Sequence, residues 1–262
     1  WSALELRGAE GMRMAKEVLL VTGANGIVGS ELVRSFVNHP DAPELRLLVR
    51  GEPHEIEAKT RWLMAWAGVT GATDAVRIIA GDVTAKDFGL EPGPRDALMR
   101  EVTGVVHSAA STSFHQNAEQ AERSNVVGMR EAIAFARRCE RLDRFGLVST
   151  AYVAGKRTGV IREDELELDA GYVNEYEASK ARAEDEASRA GLPLATYRLG
   201  IVVGRRTDGR ISRMSGIYPV WRILHQGLLS MIPGDPGQPV DLVPADYASD
   251  AIAFLFRRAF AA

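Results

Sequence analysis

Cys139 is the only cysteine in this 262-residue chain. A lone thiol excludes an internal disulfide and a cysteine-built metal cage, and it fits a reducing compartment, so a cytoplasmic setting is expected. Histidines are scarce too. His107 and His115 flank HSAASTSFH with no carboxylate at ligand spacing, so they read as a strand-end and a loop residue, and no metal centre is expected. Positive charge is not in excess: 32 Lys and Arg face 35 Asp and Glu, for a formal net charge of −3. That leaves no broad basic field for nucleic acid. No apolar run approaches the roughly 20 residues of a membrane-spanning helix. The opening WSALELRGAEGMRMAKE lacks the apolar core of a signal peptide. It also lacks an initial methionine, so residues 1–15 read as a junction, or as the edge of a segment from a longer chain.

What is present is an ordinary globular composition, 46% hydrophobic and 26% charged. Short β-branched runs alternate with longer amphipathic ones, the pattern of βαβ units and a parallel sheet. Strands are expected at 17–22, 45–49, 76–80, 104–108, 145–149 and 194–198. Helices are expected near 27–38, 55–67, 117–139, 175–190, 212–227 and 246–260, and loops at NHPDAP, EPGPRD and IPGDPGQP. The fold class is therefore α/β: a doubly wound parallel sheet over residues 16–200. Residues 201–262 form a smaller substrate-side lobe interwoven with it.

VLLVTGANGIVGSELVRSF sets Gly23, Gly26 and Gly29 between the first strand and a helix. In such a turn the first glycine allows the tight bend, the second lets backbone approach a pyrophosphate, and the third lets helix pack on strand. The helix N-terminus offers free amides to the phosphates. Asn25, Ile27 and Val28 complete the turn and are expected along the cofactor. The context of strand, turn and helix makes this a Rossmann-type dinucleotide site rather than a glycine-rich loop. An acid at the end of the second strand would suit the ribose 2′-hydroxyl of NAD, whereas arginine accommodates the 2′-phosphate of NADP. LVRG supplies Arg50, which points to NADP. Asp82 and Val83 of GDVT follow the third strand, where adenine should lie; the alternative for Asp82 is a turn cap.

The fourth and fifth strands end in HSAAST and VSTAYVAG, at the rim where open α/β sheets bind ligands. Small Ser108, Ala109 and Ala110 would let a cofactor pass close to the backbone. Ser149 and Thr150 bring hydroxyls to the same rim. EYEASK then places Tyr176 four residues before Lys180 on one helix face. A carbonyl that accepts hydride needs a proton, which tyrosine supplies as a general acid. A neighbouring ammonium lowers the phenol's pKa and holds the ribose, while Thr150 or Ser149 binds the substrate carbonyl.

TGANGIVG, GDVT, HSAAS, Asn125 in SNVVG, STAYVAG and YEASK together resemble the extended short-chain dehydrogenase/reductase superfamily, over nearly the whole chain from residue 16. The resemblance places the catalytic hydroxyl on Thr150, beside Tyr176 and Lys180, and makes Asn125 the supporting asparagine; read alone, Asn125 is also a helix N-cap. LVRG, GDVTAKDFGL, NVVGMREAI, STAYVAGKRTG, YRLGIVVG and VDLVPADYASDAI are similar to the branch of fatty acyl-CoA reductases and carrier-protein thioester reductase domains. That implies NADPH-dependent reduction of a CoA- or carrier-bound acyl thioester to an aldehyde or alcohol. An acyl or peptidyl carrier domain is the implied partner, and Leu199, Gly200 and Ile201 are the implied cofactor contacts. A homodimer through the helices near 117–139 and 175–190 is expected from the fold. Members of the branch continue past VDLVPADY with pocket helices, so either a truncated segment or a reduced lid is expected. The rivals are a reductase or epimerase of sugar nucleotides or ketones, and a non-catalytic NADP sensor, against which the intact triad argues.

Other residues read more plainly. REDELELD is a solvated acidic loop and Cys139 a helix residue. Arg205, Arg206, Arg210 and Arg213 in GRRTDGRISR are either a mobile basic loop or contacts for CoA and carrier phosphates. SGIYPVWRILHQGLLSMIP reads as core or interface, with Trp221 and Met231 as the alternative acyl-pocket lining.

Overall fold

The computed structural model describes residues 17–69, 74–228, 237 and 239–258. Six strands, β1 (Val18–Thr22), β2 (Glu44–Val49), β3 (Val76–Ala80), β4 (Gly104–His107), β5 (Arg144–Thr150) and β6 (Leu194–Leu199), form one sheet. Their order is β3-β2-β1-β4-β5-β6, and every pairing is parallel. The order reverses between β1 and β4, so the carboxyl ends of these two strands define the crevice where ligands bind.

The central strands are apolar because both faces are covered. β1 is buried throughout and its side chains alternate. Leu19 and Val21 face α1 (Ile27–Val37) and α8 (Ala245–Arg258), with Leu32, Phe36, Ile252 and Phe256. Val18 and Leu20 face the opposite cluster of Val105, Phe145, Met129 and Ala183. α2 (Pro53–Ala67) starts with Pro53 at its first position and a reciprocal Glu52–Glu55 cap, and ends on left-handed Gly68. The edge strand β3 tolerates the exposed Arg77.

The strands lie where the sequence places them, to within a residue or two at their ends. Two helices differ. EPGPRD, read as a loop from its prolines and glycine, opens α3 (Pro92–Glu101), because proline at N1 gives up only an amide that has no helical partner. The helix expected near 212–227 is confined to α7 (Tyr218–His225), since Gly216 at φ +63° breaks the pattern before it. A small parallel pair, β7 (Ile201–Val203) with β8 (Leu242–Pro244), had no separate signal in the sequence. The expected 117–139 helix is a run of α4 (Ala118–Ala121), a π-turn at Glu122–Val127 and α5 (Gly128–Ala136), followed by α6 (Glu175–Ser188). Residues 1–15 and Met231 lie outside the described residues. No described helix is long and apolar enough to cross a membrane.

Candidate active site and dinucleotide cleft

The turn after β1 is fixed by contacts that leave no room for side chains. Gly23 sits at φ +71°, and a Cβ there would lie 2.6 Å from the Ala109 amide nitrogen. A Cβ on Gly29 would lie 2.1 Å from the Gly23 carbonyl oxygen. Gly26 N–H donates to that same oxygen at 2.9 Å. The first turn of α1 has no acidic residue and no side-chain cap, so its free amides face the cleft. The ends of β1 and β4 are tied by Thr22 Oγ1 to His107 Nδ1 at 3.0 Å, with the Ala109 amide donating to Thr22 Oγ1 at 3.3 Å. Burial first, and the charge of Lys180 second, push the His107 imidazole down to about 3, so it stays neutral and structural.

Two cavities meet at this turn. One, of about 420 Å³, is lined by Gly23, Asn25, Gly26, Asp82, Val83 and Ala109. Arg50 and Lys59 add positive charge there. The other, of about 380 Å³, is lined by Ile27, Val28, Ser149, Thr150, Tyr176, Lys180, Leu199, Gly200 and Ile201. Ser108 and Ala110, like Gly26, line both. Every cofactor residue expected from the sequence falls on one of these walls, apart from Gly29, which packs behind the turn. Two adjoining cavities past a glycine-rich turn and a helix N-terminus fit an extended dinucleotide. Asp82 also caps a turn, its Oδ1 accepting from the Thr84 amide and hydroxyl at 2.9 and 3.0 Å, and Arg50 Nη1 lies 3.5 Å from its other oxygen.

Tyr176 is the second residue of α6, whose start is fixed by the Asn174 side chain accepting from the Glu177 amide at 3.0 Å. Its ring packs on Phe114, centroids 5.6 Å apart. Burial raises the phenol's pKa, and the nearby Thr150 hydroxyl acts in the opposite sense. Thr150 Oγ1 also takes the Tyr152 amide and donates to the Leu199 carbonyl, each at 3.3 Å. Lys180, one turn along α6, is buried and donates to the Val148 carbonyl at 2.8 Å. Burial lowers its ammonium to about 8, against the pull of Glu184. In this arrangement the lysine is held on the strand, and it is not among the groups that shift the phenol.

Neighbouring side chains on a strand point to opposite faces, so the two hydroxyls take different partners. Ser149 Oγ instead donates to Glu184 Oε2 at 2.6 Å, and Arg198 Nε donates to Glu184 Oε1 at 2.9 Å. Asn125 is not a helix cap: Asn117 fills that role with Gln120, and Asn125 lies inside the π-turn. Its Oδ1 accepts from the Ser111 amide at 2.8 Å, and its Nδ2 donates to the Ser111 carbonyl at 3.2 Å and to Ser179 Oγ at 2.9 Å. It thus ties the loop after β4 to the helix that carries Tyr176 and Lys180. π-turns of this kind are frequent at functional sites.

Sequence reasoning missed Lys59, Phe114 and Tyr152. Lys59 had a signal: it lies one turn after Glu55 of the α2 cap, and its Nζ reaches back to the Arg50 carbonyl at 2.6 Å. Phe114 sits in an irregular loop, where no periodicity marks direction. Arg205, one of the four arginines in GRRTDGRISR, is half-buried and paired: its Nε donates to buried Glu31 Oε1 at 2.8 Å, with its guanidinium 4.5 Å from the Trp66 ring centre. Arg210 covers the same ring at 4.9 Å.

The strand order and glycine turn define the class: a doubly wound Rossmann-type fold of the extended short-chain dehydrogenase/reductase kind, with a cleft for a nicotinamide dinucleotide. Residues 21–252 match the family described as male sterility protein, and the chain belongs to that family. It is 28% identical over 251 residues to one of the linear gramicidin synthase proteins of Brevibacillus parabrevis, covering 91% of this chain and 5% of that protein. It is 25% identical over 272 residues to a fatty acyl-CoA reductase of Drosophila melanogaster, covering 89% of this chain and 53% of the other. Among solved structures, the terminal R domain of the myxalamid biosynthetic pathway superposes with a TM-score of 0.79 at 30% identity, over 92% of this chain and 62% of that one. The chain therefore spans about half, or far less, of the curated relatives it matches.

Proposed function

We propose that this chain reduces an acyl thioester, carried on CoA or on a carrier protein, with NADPH. The observation that carries the reading is the placement of Thr150, Tyr176 and Lys180 on the wall of one cavity that shares Gly26, Ser108 and Ala110 with the glycine-turn groove. The relatives that bear reductase names support the substrate class. When bound, the dinucleotide supplies hydride to the thioester carbon.

The chain's own groups do the rest. The thioester oxygen sits between Thr150 Oγ1 and the Tyr176 hydroxyl, which stabilise the charge developing on it. Tyr176 delivers its proton to that oxygen, giving a hemithioacetal that collapses to aldehyde and free thiol. Burial keeps the phenol protonated until that charge appears. Lys180, carrying its charge beside the site, holds the ribose and restores the proton. Asn125 keeps the Ser111 loop and α6 in register. Arg50 and Lys59 are the two cations for a 2′-phosphate, which is the basis for preferring NADPH to NADH.

The test is NADPH oxidation with a panel of acyl-CoA esters and acyl-pantetheine thioesters, with the products separated as aldehyde and alcohol. Thioester-dependent oxidation that disappears in Tyr176→Phe is expected. Oxidation that survives Tyr176→Phe refutes the proton donor, and turnover of ketones or sugar nucleotides alone refutes the substrate class. Equal use of NADH refutes the part given to Arg50.

A further inference from the structure

The four arginines of residues 205–213 have separate fates. Arg205 is locked on Glu31 and Trp66, and Arg210 covers Trp66. The Arg206 amide is held by Asp246 Oδ1 at 2.9 Å. Between them the chain closes a tight loop, with the Arg205 amide on the Arg210 carbonyl and the Gly209 amide on the Arg205 carbonyl, both at 2.9 Å. The loop is therefore anchored on the α1–α2 side of the sheet. Three residues on, Arg213 is exposed and lines both cavities. Its guanidinium makes no ion pair or side-chain hydrogen bond among the described residues.

Only Gly26, Ser108 and Ala110 share with Arg213 the position on both walls. Gly26 begins α1, so the junction is where the two phosphates that join the halves of a dinucleotide must pass. An unpaired guanidinium at that junction, carried on an anchored loop, has a diphosphate as its matching ligand.

We propose that Arg213 closes over the diphosphate of the bound dinucleotide and straps residues 211–217 across the cleft. The inference rests on the dinucleotide reading of the groove and not on the thioester, so a failure to find an acyl substrate leaves it standing. Ser215 and Gly216 line the catalytic cavity beside it, so the strap also forms one wall of the substrate space.

The test is ligand affinity, read by calorimetry without turnover. Arg213→Gln is expected to weaken NADPH and 2′-phospho-ADP-ribose about tenfold, the loss of one charge-assisted contact, with Arg213→Lys intermediate. Adenosine 2′,5′-bisphosphate, which lacks the second phosphate of the bridge, should weaken much less. Saturating 2′-phospho-ADP-ribose should also protect residues 205–217 from trypsin in the wild type but not in Arg213→Gln. Unchanged affinity for the two diphosphates overturns the proposal, as does equal weakening of all three ligands. Unchanged NADPH affinity with a raised KM for acyl-CoA overturns it too, and assigns Arg213 to a phosphate of the substrate.

Discussion

Ser149 donates to Glu184 at 2.6 Å while Thr150, the next residue, donates to the Leu199 carbonyl at 3.3 Å and shares a cavity wall with Tyr176. The strand thus sorts two neighbouring hydroxyls into different jobs. Thr150, on the cavity wall with Tyr176, is the one we propose to bind the reacting carbonyl. Thr150→Val should lower kcat by about a hundredfold, the usual cost of losing one donor to a developing oxyanion. Ser149→Ala should leave kcat within a few-fold and cost about 1 kcal/mol of stability, since Glu184 keeps Arg198 as a partner. The reverse pattern in steady-state kinetics and thermal melts would reassign the donor.

Lys180 predicts a pH dependence. Its ammonium titrates near 8 in the free protein, well below 10.5, because burial disfavours the charge. A role that needs the charge is intact below that value and lost as pH rises through it. We expect kcat/KM to fall above pH about 8, and the limb to disappear in Lys180→Met along with most activity. Stability carries the opposite sign. Between about 8 and 10.5 the unfolded chain holds a proton that the folded one has shed, so this group favours folding as pH rises across that window. A kcat/KM that stays flat to pH about 9.5 would contradict the assignment.

Most of the sheet was legible because buried parallel strands must be apolar on both faces, and few other segments are. The glycine turn was legible because its spacing answers steric demands that only glycine meets, as the contacts at Gly23 and Gly29 show. Side-chain direction was not legible. Nothing in STAYVAG states that Ser149 faces Glu184, since that depends on where α6 packs. The alternative of Asn125 as a helix cap failed for a similar reason: Asn117 already starts the helix, and a π-turn has no sequence rule. EPGPRD concealed a helix start, because proline and glycine mark both loops and first turns. The four arginines looked alike in sequence, yet stacking on Trp66 separates two of them from Arg213.

Gly29 offers a sharp test of the turn. A methyl group there would meet the Gly23 carbonyl oxygen and Ala24 Cα, both backbone atoms that cannot swing away. Gly29→Ala should therefore push α1 off β1, abolish measurable NADPH binding and lower the melting midpoint. Gly209→Ala is a useful contrast: its φ is positive, but no atom lies within 4 Å of its Cβ position. It should cost only about 1 kcal/mol of backbone strain and leave NADPH affinity unchanged. Cofactor binding retained at wild-type strength in Gly29→Ala would mean that the turn does not hold the dinucleotide.

Glu31 is the remaining hub. Only 1% exposed, its carboxylate accepts from Arg34 at 2.7 Å, from Trp66 Nε1 at 2.8 Å and from Arg205 at 2.8 Å. Removing the charge while keeping the shape, as in Glu31→Gln, takes the near counter-ion from the half-buried Arg205 guanidinium and leaves it only the more distant Asp208 at 3.9 Å. Breaking a buried pair in this way costs about 3–5 kcal/mol. The loss should fall on one place. The loop at 205–210 should open, Trp66 should lose its cation cover and change its fluorescence, and trypsin should cut at Arg205, Arg206 or Arg210. Because Glu31 touches neither cavity wall, NADPH affinity should drop only as far as Arg213 loses its anchor. Adding Arg213→Gln to Glu31→Gln should then weaken binding less than Arg213→Gln does in the wild type. Strictly additive losses in that double-mutant cycle would show that the anchor and the strap act independently.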